Sequence, residues 1–214
     1  ERSVTYGRTF ICRSGQGKCD RRCKISVVEL DGNKYPFGGA CNRYYNLRQK
    51  LDYDIEKLDL VRLRQHFVFD AYVPKPDPEK VPEERKRIGF NKSFLINTYY
   101  PLYATFFAEL GIAPILPETY SRHGIEQRNA AFCFPAELAH GYFQTLLDTQ
   151  PPPDYLFLPH FRAVPTHVTS ANSQVCPIVQ GETFYLRTTF KNKLKALRAK
   201  GIQLFSPLID LTQG

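Results

Sequence analysis

The stretch Lys86–Pro117, "KRIGFNKSFLINTYYPLYATFFAELGIAPILP", decides how the chain is read. "KRIGF" is short, apolar and strand-like, and "IAPILP" at its far end reads as a second strand. Between them "NTYYPLYATFFAELG" has helical spacing. Its early Pro101 suits a first turn, and Gly111 suits a C-terminal stop. Strand, helix and strand in succession are the repeat of an α/β domain.

The same texture continues downstream. "SRHGIEQRN" reads as a short helix or turn. "FPAELAHGYFQTLLD" reads as an amphipathic helix opened by Pro135, with Leu138, Tyr142, Leu146 and Leu147 on its apolar face. "DYLFLP" has the unbroken apolar run of a strand buried on both faces, and "CPIVQG" reads as another strand. "RTTFKNKLKALRAKG" forms a basic helix ended by Gly201, and "IQLFSPLI" a last strand. Residues 85–214 are therefore expected to form a doubly wound, mostly parallel, Rossmann-like α/β domain.

Upstream, residues 47–84 read as a connection, partly helical in "LRQKLDYDIEKLDLVRLRQHFVF" and then Pro-rich in "VPKPDPEKVPEE". Residues 1–46 form a four-cysteine module. Within it "KISVVEL" and "NKYPF" flank Asp31–Gly32, which predicts a hairpin with strands near 24–30 and 33–37.

Composition bounds the function. The chain has 214 residues, 43% hydrophobic, and a formal charge of +8, which suits a globular protein. No apolar run reaches the ~18 residues of a membrane span, and no secretory leader is present, so a cytoplasmic protein without a membrane partner is expected. The lack of any Met suits a piece of a longer polypeptide, as would a processed N-terminus. Residues 1–50 carry eleven Lys/Arg against four Asp/Glu, so nearly all the excess charge accompanies the cysteines. It reads first as a solvated face that offsets metal-bound thiolates, through Arg21, Arg22 and Lys24, rather than as a nucleic-acid surface.

Cys12, Cys19, Cys23 and Cys41 are spaced by six, three and seventeen residues, two close pairs about a hairpin-sized insert. That pattern suits four thiolates around one metal, zinc ahead of a [4Fe–4S] cluster. A C-x2-C pair is missing. Cys133 precedes the helix that Pro135 opens, where free N–H groups favour a thiolate. Cys176 begins "CPIVQG", and His160 and Arg162 follow the strand "DYLFLP". In an open α/β sheet the carboxyl ends of the strands are where sites form.

"IGFNKSFLINTYYPLYATFFAELGIAPILP", "FCFPAELAHGYF", "DYLFLPHFR" and "CPIVQG", in that order, resemble the 2-hydroxyacyl-CoA dehydratase superfamily. More closely they resemble the uncharacterised region beside the activase modules of large acyl-CoA dehydratase activase-related proteins, as does the four-cysteine module with "YPFGGACNRYYN". The resemblance implies an α/β domain that holds a [4Fe–4S] cluster through cysteines. It implies ATP-dependent activase modules as partners and an acyl-CoA-related substrate. Cys133 matches the first ligand of the family pattern and Cys176 its "CP" ligand. Two departures stand out: Glu137 occupies a position where relatives carry Lys, and His160 one where they often carry Cys. Iron accepts His ligands, but the substitution also suits a lost cluster.

The chain has no G-x-x-x-x-G-K-[ST] loop, so the ATP-hydrolysing modules are not expected within it. His140 reads as a satisfied helix histidine, and His123 and His167 as exposed. The basic helix residues Lys191, Lys193, Lys195, Arg198 and Lys200 read first as a solvated face, with CoA phosphates or an acidic partner as the sharper reading. Two functions are expected: an Fe–S electron-transfer component of a dehydratase/activase-like system, or a non-catalytic, zinc-stabilised α/β module that docks a partner.

Overall fold

A computed structural model of the chain describes residues 3–13, 19, 21–51, 53–75, 85–128, 133–166 and 173–212. The Pro-rich segment 76–84 and His167 lie outside the described residues. The chain divides into two compact units, Glu1–Leu60 and Val61–Gly214, and the break falls within the stretch read as a connection.

In the first unit, β1 (Val4–Ile11), β2 (Lys24–Leu30) and β3 (Asn33–Phe37) form an antiparallel sheet in that order. The β2–β3 hairpin stands where expected. Asp31 and Gly32 both take positive φ, +50° and +78°, as a two-residue turn matched to strand twist requires. β1 was not legible in the sequence: Gly7 interrupts its alternation, and its pairing slips between Tyr6 and Thr9. Helices α1 (Arg43–Gln49) and α2 (Ile55–Leu58) follow. Arg48 fastens α1 to β3, donating to the Pro36 carbonyl at 2.5 Å and lying 4.2 Å over the Phe37 ring.

The second unit opens with α3 (Leu60–His66), which runs into a π-helical turn at Phe67–Ala71. Then come β4 (Arg87–Phe90), α4 (Ile96–Glu109), β5 (Ala113–Ile115), α5 (Arg122–Glu126), α6 (Phe134–Asp148) and β6 (Tyr155–Phe157). β7 (His160–Ala163), α7 (Pro177–Gln180), α8 (Glu182–Thr189), α9 (Lys191–Ala199), β8 (Gln203–Phe205) and β9 (Leu208–Asp210) complete it. β5, β4, β6 and β8 lie in that order in a fully parallel sheet.

Side chains alternate across this sheet, so each face acquires its own core. Ile88 and Phe90 of β4 and Phe157 of β6 pack on Tyr100, Tyr103, Ala104 and Phe107 of α4. Leu156 and Leu158 point the other way, onto Phe143, Leu146 and Leu147 of α6 and Leu186 and Phe190. Gly89 lies beneath Leu146: a β-carbon there would come within 2.6 Å of Leu146 Cδ1, so the helix rests directly on the strand. Helices therefore cover both faces, as the alternating pattern predicted.

The structure corrects several local expectations. "CPIVQG" is not a strand but α7, because Pro177 at the first helical position favours a helix start and Cys176 caps it. α6 turns its Ala136, Ala139/His140, Phe143 and Leu146/Leu147 stripe inward; Leu138 and Tyr142 are only partly buried. The basic helix is two helices that meet at buried Phe190, with the first beginning five residues earlier than expected. "IQLFSPLI" breaks at Ser206–Pro207 into β8 and β9, as "DYLFLPHFR" breaks at Pro159 into β6 and β7. The two breaks are in step. The Leu158 N–H donates to the Phe205 carbonyl and the His160 N–H to that of Pro207, carrying the pairing into the parallel pair β7–β9.

Pro101 sits at the sixth residue of α4, not in its first turn. Lacking an N–H, it cannot serve the Asn97 carbonyl. Arg64 does so instead, donating to Asn97 O at 2.8 Å and to Thr98 Oγ1 at 2.9 Å. Among the described residues, no helix is long and apolar enough to cross a membrane.

Candidate functional site

From β4 the chain passes through α4 to β5 on one side and then returns to place β6 on β4's other side. The carboxyl ends of β4 and β6 thus flank a reversal in strand order, the place where open α/β sheets bind ligands. The residues after β4 are Asn91, Lys92, Ser93 and Phe94, and Phe94 takes a positive φ of +35°, costly for a bulky side chain.

Beneath this loop lies a buried polar cluster. Glu182, at the start of α8, is 2% exposed, yet it has no cation partner among the described residues. Its Oε1 accepts from Asn91 Nδ2 at 2.9 Å and from the Ser93 hydroxyl. Asn91 Nδ2 also donates to the Ala139 carbonyl of α6 at 3.2 Å, while its Oδ1 is buried without a partner. Burial pushes the Glu182 carboxyl up to about 7, against the two hydrogen bonds that hold it down. His140 donates from Nδ1 to the Ala136 carbonyl at 2.8 Å and stacks on the Tyr185 ring, centroids 5.2 Å apart. Burial lowers its pKa, so the ring is held neutral. It is the satisfied helix histidine the sequence suggested.

Tyr185 joins this cluster to the cysteines. Its hydroxyl is buried without a partner among the described residues, and its pKa is raised by burial first, then by Glu182, Cys133 and Cys176. Two thiols 43 positions apart in sequence thus act electrostatically on one tyrosine. Each is exposed and caps a helix: Cys133 caps α6 and Cys176 caps α7. Glu137 occupies the first turn of α6, where a carboxylate complements the helix dipole, and pairs with Arg128 at 3.3 Å.

His160 opens β7 with its ring against Phe184, centroids 4.7 Å apart. Arg162 pairs with Asp210 at 3.8 Å. Among the described residues no three His, Cys, Asp or Glu side chains are disposed to hold a metal, so His160 is not gathered with the two thiols. A [4Fe–4S] cluster takes four thiolates or their equivalents. Cys133 and Cys176 would supply two at most, and the described residues do not complete the sphere.

In the first unit, Cys12, Cys23 and Cys41 lie at one end of the sheet. The Cys12 N–H donates to the Cys23 carbonyl at 2.8 Å, which aligns the chain leaving β1 with the chain entering β2. Tyr44 packs between them. Its hydroxyl is pushed up by a hydrogen bond with the Cys12 side chain, then by burial, with Cys41 near enough to add to the effect. Cys19 is exposed, and residues 14–18 and 20 around it lie outside the described set. Three of the four predicted ligands therefore share a neighbourhood without forming a coordination sphere among the described residues.

Asn91, Ser93, Glu182 and Tyr185 were missed in the sequence reading. The signal for the first two was polar residues directly after a buried strand. For Glu182 it was an acid opposite apolar positions two turns after "CP". A family model described as "CoA enzyme activase uncharacterised domain" matches residues 87–214. No curated protein and no solved structure matches the chain.

Proposed function

The chain belongs to the CoA enzyme activase uncharacterised domain family, and from that premise we propose that it handles electrons beside ATP-dependent activase modules, through iron–sulfur chemistry at Cys133 and Cys176. The carrying observation is that these two exposed cysteines each stand at the N-cap position of a helix, and both lie near enough to Tyr185 to raise its pKa. A cluster at this edge would supply one-electron transfer. The chain's own contribution is positional. The free N–H groups of α6 favour negative charge at Cys133, and nearby Tyr185 is held in place by stacking on His140. The ligands beyond Cys133 and Cys176 would come from outside the described residues or from His160 after a local shift. The acyl-CoA-related substrate belongs to the system as a whole.

Anaerobic reconstitution with iron and sulfide tests the reading. Wild type is expected to take up cluster iron with visible absorbance, and a Cys133→Ala, Cys176→Ala double variant to lose it. Equal uptake by both would move any cluster to the N-terminal cysteines and end the proposal for this edge.

A second reading is favoured by Cys12 and Cys41 lying near Tyr44, with Cys23 joined to Cys12 through the backbone: a zinc-stabilised, non-catalytic module that docks a partner. Cys19 would complete its four thiolates.

A further inference from the structure

β8 is the last strand of the parallel sheet, and among the described residues no strand lies along its outer edge. Gln203 and Phe205 direct their backbone groups to β6: Gln203 N–H donates to the Asp154 carbonyl at 3.1 Å, and the Phe205 carbonyl accepts from Leu158 N–H at 2.9 Å. By the alternation of a parallel ladder, the N–H and C=O of Leu204 face the open edge. Beside this edge runs a cleft of about 760 Å³. Its floor is apolar, with Leu156 and Leu204 from the sheet and Leu194 and Leu197 from α9. α9 buries no residue fully, although those two leucines face the core, so apolar surface is left over here. The rim carries four exposed cations, Arg187, Lys191, Lys195 and Arg198, and among the described residues no acid lines the cleft. None of the four forms an ion pair with a described residue, whereas Lys193 on the same helix reaches Asp148 at 2.5 Å.

We propose that this cleft docks an acidic, extended segment of a partner protein, which adds to β8 as a fifth strand. Three features choose this occupant. An open edge with free Leu204 groups is what strand addition uses. The cations succeed one another along the helices at positions 187, 191, 195 and 198. Lys191 and Lys195 are one step of four apart, a rise of about 6 Å, which nearly matches the ~6.8 Å between alternate residues of a strand. A chain with acids at every second position would therefore meet successive cations with one face and lay its apolar face on the leucines. A compact phosphate would use the cations alone and leave the Leu204 backbone groups and the apolar floor without a partner. A second copy of the chain carries +8 itself and is a poor electrostatic match.

The probe is a fluorescein-labelled ten-residue peptide alternating Glu with Val and Thr, titrated into the full chain and followed by anisotropy. Saturable binding is expected that weakens with salt and falls at least tenfold in a Lys191→Glu, Lys195→Glu double variant. Amide exchange at Leu204 is expected to slow in the complex. On the wild-type protein, the same peptide with Pro at its two central apolar positions is expected to lose binding, because Pro cannot donate to a ladder. Equal binding of the Pro peptide would reduce the site to charge attraction and overturn strand addition. Equal competition by inorganic pyrophosphate would make it a compact anion site, and indifference to the charge reversals would remove the cleft from the binding altogether.

Discussion

Glu182 is the residue whose environment departs furthest from what its chemistry prefers. A carboxyl group 2% exposed, with Asn91 and Ser93 as its donors, is held up to about 7 from an ordinary 4.5. Between those two values the folded chain binds a proton that the unfolded chain releases. Stability therefore falls as pH rises through this window, by about 3 kcal/mol if the whole difference is expressed. Glu182→Gln keeps an acceptor for Asn91 and Ser93 and removes the charge. Thermal unfolding of the variant is expected to lose most of the decline between pH 5 and 7 and to give the higher Tm at pH 8. An unchanged slope would show that other groups carry the pH dependence. The same residue illustrates what sequence alone conceals: Glu182 falls between the expected strand "CPIVQG" and the expected helix "RTTFKNKLKALRAKG", and nothing local marks it as buried beneath the loop after β4.

At the scale of elements, Arg64 and Pro101 form a compensating pair across α3 and α4. Pro101 leaves the Asn97 carbonyl without its helical donor, and Arg64 supplies one at 2.8 Å. The bond is exposed, so water takes part of its place when Arg64 is removed, and Arg64→Ala is expected to cost about 0.5–1 kcal/mol. Pro101→Ala restores the N–H. In a double-mutant cycle read by urea unfolding, the loss from Arg64→Ala should shrink toward zero in the Pro101→Ala background. Additive effects would mean that the arginine serves the helix in some other way. Close contact between α5 and α6 has a similarly local cause. A β-carbon on Gly124 would approach Gln144 Cβ to 2.5 Å and the His140 carbonyl to 2.8 Å. That approach seats α6 so that Ala139 and His140 reach the buried cluster.

At the scale of the whole molecule, both apolar clusters on the two faces of the parallel sheet are drawn entirely from Val61–Gly214. Each is anchored on a strand that the other also uses, β6, whose Leu156 and Phe157 point to opposite faces. Residues 61–214 produced alone are accordingly expected to unfold cooperatively and to retain a near-UV signal from packed rings such as Phe90, Tyr103 and Phe157. A fragment with secondary structure but no near-UV signal would show that its packing depends on residues 1–60. The family match over 87–214 falls within this unit.

What the sequence by itself determined were the features set by short-range physics. Period-two apolarity with Asp31–Gly32 specified the β2–β3 hairpin. Buried runs at "RIGF" and "YLF", separated by helical spacing, specified a parallel α/β sheet, and Pro135 with Gly111 and Gly201 marked helix ends. Errors fell where a local signal had two readings. "CPIVQG" is apolar enough for a strand, and only the proline's position against Cys176 makes it a helix. "IQLFSPLI" is one apolar run, and only its pairing opposite Pro159 splits it. The candidate site lay further beyond reach. The sequence named Cys133 and Cys176, but their common influence on Tyr185, the separation of His160, and the buried Glu182–Asn91–Ser93 cluster all depend on strand order. That order is decided by which faces can be covered at once, a property of the packed sheet and of no single segment.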